Sequence, residues 1–459
     1  MTNFWDFSVW GFLNLCAVLL LSLLLANGLK RSVKFLQRSL IPTSVLAGLL
    51  LLLISSVYRR ITGTALFDTA FFGGNGMNAL EIITYHALAL GFIASTFRSN
   101  SSVLSKKRRN EILNTGATTV ASYLIQAVFG LLITIIASKI MKDFFVAAGL
   151  LLPFGYGQGT GQALNYGSIY ETDFGFVGGR SFGLTIAACG FLSASIGGVI
   201  YLNILKKRGI YRWSDEKSSL IRENEIQQEN EIPMNGAIDK LTVQVALVAG
   251  AYALAYLLMM LLGNLIGALR SVVYGFNFLF GVLGAVLLKR LMYLMQKTRM
   301  KKREYVNSFL MQRISNFCFD IMVVAGVAAI RLEVLRGYWW VILILAVTGL
   351  LITFFYNRII AKKLFPDYEN EQFLAMYGML TGTASTGVML LREVDPDFNT
   401  PTADNLVYQN FPAMILGFPI MLLATLAPKR PWLVLLIAAG FFIVMNILLF
   451  RSYIFRKRK

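Results

Sequence analysis

Apolar blocks of about 20 residues recur along this chain, each long enough to cross ~30 Å of hydrocarbon as a helix, and most end in a cluster of Lys and Arg. This pattern predicts an all-α, multi-pass membrane protein. The first half offers five such segments, at about Ser8 to Gly28, Leu40 to Tyr58, Ala79 to Phe97, Thr115 to Ala137 and Val177 to Ile204. The second half offers five more, at about Leu241 to Leu269, Val272 to Leu288, Ile314 to Ile330, Trp339 to Ile360 and Leu406 to Ala427, and Trp432 to Phe450 adds an eleventh. Met1 to Gly28 lacks a basic leading region and a small-residue cleavage site, so it reads as the first helix and not as a removed signal.

Charge settles the next step. The formal charge is +19, with 43 Lys and Arg against 24 Asp and Glu. These cations sit between apolar blocks and not along aromatic-studded faces, so anionic lipid and the positive-inside rule account for them, and nucleic acid does not. Lys30, Arg31, Lys34 and Arg38 make the first exit cytoplasmic, which puts the N-terminus outside. The C-terminal cluster, Arg456 to Lys459, falls inside. The expected location is a bacterial cytoplasmic membrane.

Two glycine- and hydroxyl-rich stretches interrupt the apolar pattern, one per half. They are Leu152-Pro153-Phe154-Gly155-Tyr156-Gly157-Gln158-Gly159-Thr160-Gly161-Gln162-Ala163-Leu164 and Met379-Leu380-Thr381-Gly382-Thr383-Ala384-Ser385-Thr386-Gly387-Val388-Met389-Leu390, and both carry Thr-Gly-x-x-Leu. Gly costs about 1 kcal/mol per residue against Ala within a helix, so neither stretch continues as one helix. Each reads as the tip of a re-entrant helical hairpin, over residues 144–169 and 373–391. Non-helical backbone at membrane depth is tolerated where it is buried or lines a water-filled site. Only if each hairpin returns to the side it came from do all strong basic clusters fall inside. The first half then starts outside and the second inside, which predicts two inverted-topology repeats of five helices, each with a re-entrant hairpin. The organisation is 1–212 for the first repeat, 213–236 for a polar cytoplasmic linker, 237–430 for the second repeat and 431–459 for an extra C-terminal helix with its basic tail.

Paired broken segments call for a transport site at the repeat interface. Half-helix N-termini suit a carboxylate, and unwound carbonyls with Thr and Ser oxygens suit Na⁺. Gly157, Gln158, Gly159, Thr160, Gly161, Gly382, Thr383, Ser385, Thr386 and Arg392 are the candidate substrate ligands. Thr160, Thr386, Asn316 and Asp320 are the candidate cation ligands. Small residues also let helices pack closely, but a matched pair of stretches favours a site. Asp320 lies within an apolar segment, where an unpartnered carboxylate costs roughly 2.5–3.5 kcal/mol on insertion scales. It is a candidate cation ligand or proton carrier, with Asn316 a turn earlier; a helix-end acid facing water is the alternative. His86 reads as a packed, hydrogen-bonded residue ahead of a proton relay. Arg180 and Arg392 read as interfacial cations or as partners for an anion. Cys16, Cys189 and Cys318 have no metal-like spacing.

No HExxH, GxSxG or Walker A motif is present, so the chain does not read as an enzyme, and no cofactor is called for beyond Na⁺ as a coupling ion. Without a nucleotide-binding domain, uphill transport must draw on an ion gradient.

At Gly157-Gln158-Gly159-Thr160-Gly161 the chain resembles the Gly-His-Gly-Thr-Gly signature of the bacterial sodium/glutamate symporter family. Gly382-Thr383-Ala384-Ser385-Thr386 resembles that family's Gly-Ala-Thr-Pro-Thr stretch. Weaker likeness runs over most of the chain outside the linker and last helix. The resemblance implies sodium-coupled uptake of glutamate, an elevator-like motion of the hairpin-bearing part and a homodimer. Gln158 replaces the family's His, Ser385 its Pro and Leu390 a usual Asn, and Asp320 stands where a small hydroxyl residue is expected. The extra C-terminal helix is atypical. The expectation is therefore a secondary transporter of glutamate or a related small carboxylate. A proton-coupled or exporting carrier of another organic anion, and a non-transporting scaffold or sensor, are the alternatives.

Overall fold

The computed structural model describes residues 3–98, 106–210, 238–267, 270–297, 304–395 and 399–454. The expected linker at 213–236 and the basic tail at 456–459 lie outside the described residues. In the first half the long helices are α1 (Phe7–Ser32), α2 (Thr43–Thr62), α3 (Gly76–Arg98) and α4 (Lys106–Ile140). Two short helices follow, α5 (Leu151–Gln158) and α6 (Thr160–Phe174), and then α7 (Gly179–Lys207). The second half repeats this order: α8 (Lys240–Leu265), α9 (Asn277–Lys297), α10 (Ser308–Ala328) and α11 (Trp339–Leu364), then the short α12 (Glu369–Thr381) and α13 (Ala384–Arg392). The chain closes with α14 (Thr402–Tyr408), α15 (Asn410–Leu426) and α16 (Pro431–Leu449).

Ten of these helices are long and apolar enough to cross a membrane, and α14 with α15 makes an eleventh, bent by 50°. The chain is a multi-pass membrane protein. Peripheral α1 and α16 leave large apolar side chains exposed, among them Leu24, Leu25, Leu436 and Val444. Each would cost about 1.5–3 kcal/mol in water relative to burial, so these faces belong in lipid.

Helix ends depart from the hydropathy reading where polar residues extend a helix beyond its apolar part. α4 starts at Lys106, nine residues before the expected Thr115, because Arg108 pairs with Glu111 one turn on at 2.7 Å. α10 starts at Ser308, ahead of the expected Ile314, because the Asn307 side chain accepts the Leu310 N–H at 2.7 Å. The segment expected over 406–427 is two helices. Pro412 has no N–H to offer Tyr408 and its ring crowds that carbonyl, so the chain breaks there.

Packing follows a pattern of exchanged partners. α3 and α10, third in each half, form the most extensive contact in the bundle. α2 packs on α10 as α9 packs on α3, and α4 packs on α15 as α11 packs on α7. α4 and α11 also meet directly, with Gln126 Nε2 donating to Thr353 Oγ1 at 2.8 Å and Asn357 Nδ2 to Ser122 Oγ at 3.2 Å. Among the described residues α16 has no counterpart in the first half, and it lies along α4.

Candidate functional site

The site is built by two chain reversals. α5 ends at Gly159, whose φ of +82° and ψ of −172° lie in a region that essentially only glycine occupies. The chain turns back there: Phe154 stacks on Tyr166 with centroids 3.9 Å apart, and Phe145 stacks on Phe176 at 4.8 Å. A continuous helix would hold Phe154 and Tyr166 about 18 Å apart. α12 and α13 reverse likewise around Gly382 and Thr383. A Cβ on Gly378 would fall 2.9 Å from Gly387 Cα, so the two arms touch backbone to backbone. Thr383 caps α13 by accepting the Thr386 N–H at 3.4 Å, and its hydroxyl lies 3.3 Å from that of Thr386.

The two tips meet. A Cβ on Gly159 would lie 3.6 Å from Thr383 Cγ2, 3.8 Å from Gly382 O and 3.8 Å from Met322 Cε. At this meeting point is a cavity of about 150 Å³. It is smaller than the roughly 300–1,000 Å³ of pockets for drug-sized ligands, which suits a small solute. Gly157, Gln158 and Gln162 line it from one tip, and Gly382, Thr383 and Ala384 from the other. Among the described lining residues there is no Asp, Glu, Lys, Arg or His.

Its polarity comes from dipoles and amides. α6 and α13 both start at the cavity, so first-turn N–H groups from both halves have no partner within their helices and carry partial positive charge. Gln162 is 1% exposed; its Oε1 accepts from Asn165 Nδ2 at 2.8 Å, and its Nε2 has no partner. On the far wall Thr119 Oγ1 donates to Gln409 Oε1 at 2.8 Å, Gln409 Nε2 donates to Asn410 Oδ1 at 3.0 Å, and Tyr123 Oη donates to Gly157 O at 3.0 Å. Donors predominate where the helices begin, and such a site can hold a small anion.

Of the residues expected from sequence, Gly157, Gln158, Gly382 and Thr383 line the cavity. Gly159 forms the contact between tips. Thr160 is fully buried behind it, its hydroxyl 3.4 Å from Met322 O, and Gly161 packs on Leu88. Thr386 is buried against Thr383. Ser385 is exposed and outside the lining, and Arg392 is exposed at the other end of α13, about 12 Å of helix from Ala384. Asn316 and Asp320 are likewise not brought to the cavity. α10 presents Phe319 and Met322 to it, while Asp320, on another face, is exposed and within hydrogen-bonding reach of Ser44 on α2. Asp320→Asn and Arg392→Gln are accordingly expected to change uptake by no more than about twofold, the effect of a surface change of about 0.5 kcal/mol; a measured loss of tenfold or more would place either residue in the transport cycle.

The sequence reading missed Gln162, Thr119, Tyr123, Gln409 and Asn410. Gln162 stands within the glycine-rich stretch itself, and Gln409-Asn410 is a polar pair immediately before Phe411-Pro412 in an apolar span, a usable signal for a broken helix. His86 Nδ1 lies 2.6 Å from Tyr252 Oη, a hydrogen-bonded pair. No protein-family model matches the chain. A search of curated proteins finds no match either.

Proposed function

We propose that the protein is a secondary transporter that moves glutamate or a related small carboxylate together with Na⁺. The observation that carries this reading is the meeting of two broken segments, one from each half, at a small cavity inside an apolar helix bundle, whose mainly apolar lining carries the amides of Gln158, Gln162, Gln409 and Asn410 and the hydroxyls of Thr119 and Thr383. Irregular backbone at membrane depth has a purpose where it lines a binding site, and a scaffold has no use for it. The exchanged packing, α2 on α10 with α9 on α3 and α4 on α15 with α11 on α7, is what two repeats related by a pseudo-two-fold axis produce. It supports two halves of like build, while the basic clusters Lys30 to Arg38 and Arg456 to Lys459 support inverted topology with re-entrant hairpins, the N-terminus outside and the C-terminus inside a bacterial cytoplasmic membrane. The resemblance noted above adds a homodimer to this proposal.

Neutral lining gives a physical reason for cotransport. A carboxylate held only by helix dipoles and amides keeps much of its desolvation cost, and a cation bound nearby offsets it. The oxygens suited to Na⁺ are neutral ones: the Thr160 hydroxyl beside Met322 O, and the Thr383 and Thr386 hydroxyls beside each other. With no carboxylate or imidazole among the described lining residues, Na⁺ coupling is favoured over proton coupling. In proteoliposomes, labelled glutamate is expected to accumulate under an inward Na⁺ gradient and not under a proton gradient alone. Accumulation driven by protons without Na⁺ would replace this reading with the proton-coupled one, and no accumulation under either gradient would remove glutamate.

A further inference from the structure

A second cavity, of about 350 Å³, adjoins the first. Two hydrogen-bonded side chains stand between them: Asn165 lines the second cavity, and its Nδ2 donates to Oε1 of Gln162, which lines the first, and to Gly275 O at 3.1 Å. Unlike the first, this cavity is charged. Glu81 and Arg180 both line it, with Arg180 Nη1 donating to Glu81 Oε2 at 2.8 Å. Glu81 Oε1 lies 3.3 Å from Arg331 Nη2. Glu171 accepts the Arg180 backbone N–H at 3.1 Å, and its Oε1 stays 4.0 Å from Arg180 Nε, beyond hydrogen-bonding distance.

Two features of this cluster point to a ligand. Arg180 Nε is buried and makes no hydrogen bond, the nearest carboxylate oxygen, Glu171 Oε1, standing 4.0 Å away, so one donor of a cavity-lining guanidinium is left for an acceptor such as a carboxylate. The two Arg and two Glu also balance. A carboxylate arriving alone would leave a negative charge uncompensated in a half-buried site, whereas one that brings its own ammonium would not. The ammonium would face the carboxylate of Glu81, which lines the cavity. From this geometry we propose that the second cavity is a separate binding site for the zwitterionic head group of an amino acid, with Arg180 taking the carboxylate. The inference rests on reading the chain as a carrier of small carboxylates and adds a second site beside the first cavity.

The test is equilibrium binding of labelled L-glutamate to the full chain in lipid nanodiscs, with unlabelled glutarate, which lacks the ammonium, as competitor. The wild type is expected to bind two per chain. Glu81→Gln/Arg180→Gln, which removes both charges and leaves neither buried alone, is expected to bind one. Arg180→Lys, which retains a cation for Glu81 but lacks the Nε–H, is expected to bind one as well, a check that does not depend on the double variant folding. Excess glutarate is expected to leave the glutamate of the second cavity in place. A wild type that binds one or none, a double variant that still binds two, or glutarate displacing both would each overturn the proposal. Uptake separates the two readings. Vesicles that accumulate glutamate while stoichiometry stays at one keep the transporter and sink the second site; two sites without accumulation do the reverse.

Discussion

Gly159→Val is expected to reduce uptake at least tenfold in protein that still inserts and purifies normally. A β-branched residue at φ +82° and ψ −172° is a backbone outlier, and strain in such regions costs about 1–3 kcal/mol. Each 1.4 kcal/mol is a factor of ten in an equilibrium. The added methyls would point at the other tip, since even a Cβ there lies 3.6 Å from Thr383 Cγ2. Relief requires the first tip to move, carrying the first-turn N–H groups of α6 away from the cavity. Gly175→Ala is the control. Gly175 also has a left-handed backbone, φ +72°, but a Cβ there meets nothing within 4 Å. It should cost about 1–2 kcal/mol of stability, seen as a lower Tm, while uptake by the folded fraction stays intact. Equal loss of uptake in both variants would mean that the tip contact has no special role.

What could be read in the sequence, and what could not, follows from the range of each physical signal. Apolar length and flanking charge are local, and they located the ten long helices to within a few residues at most ends. The glycine-rich stretches are local too, and the chain does break at both. Three things depend on how side chains are placed in the folded bundle. That Gly159 reaches Thr383 is a contact between halves. Gln162 looks like any polar residue near a helix start until Asn165 is seen to hold its Oε1 and turn its Nε2 elsewhere. Asp320 drew attention as a carboxylate among apolar residues, but helical rotation gives the cavity its neighbours Phe319 and Met322 and leaves Asp320 on the α2 side. Over Lys106 to Asn114 the charge masks a helix that hydropathy alone does not detect.

Gln162 carries the second large effect. Its Nε2 is a buried donor with no partner, and it lies in the first turn of α6, where the helix dipole already favours an anion. A hydrogen bond to a charged group contributes about 1.5–3 kcal/mol, so Gln162→Leu should raise the KM for glutamate roughly 10–150-fold. The wall toward the second cavity should survive this change, because Asn165 Nδ2 keeps its bond to Gly275 O. Maximal rate at saturating substrate should therefore move little. Gln162→Glu is the sharper variant. It keeps the size and the acceptor for Asn165 but puts a carboxylate where the substrate's carboxylate binds, so uptake should fall below that of the leucine variant at every glutamate concentration. If protonated at low pH, that glutamic acid regains a donor, and uptake should recover as pH falls while the wild type and Gln162→Leu show no such gain. A KM unchanged in Gln162→Leu, or a glutamate variant no worse than the leucine one, would mean that the carboxylate does not bind at this amide.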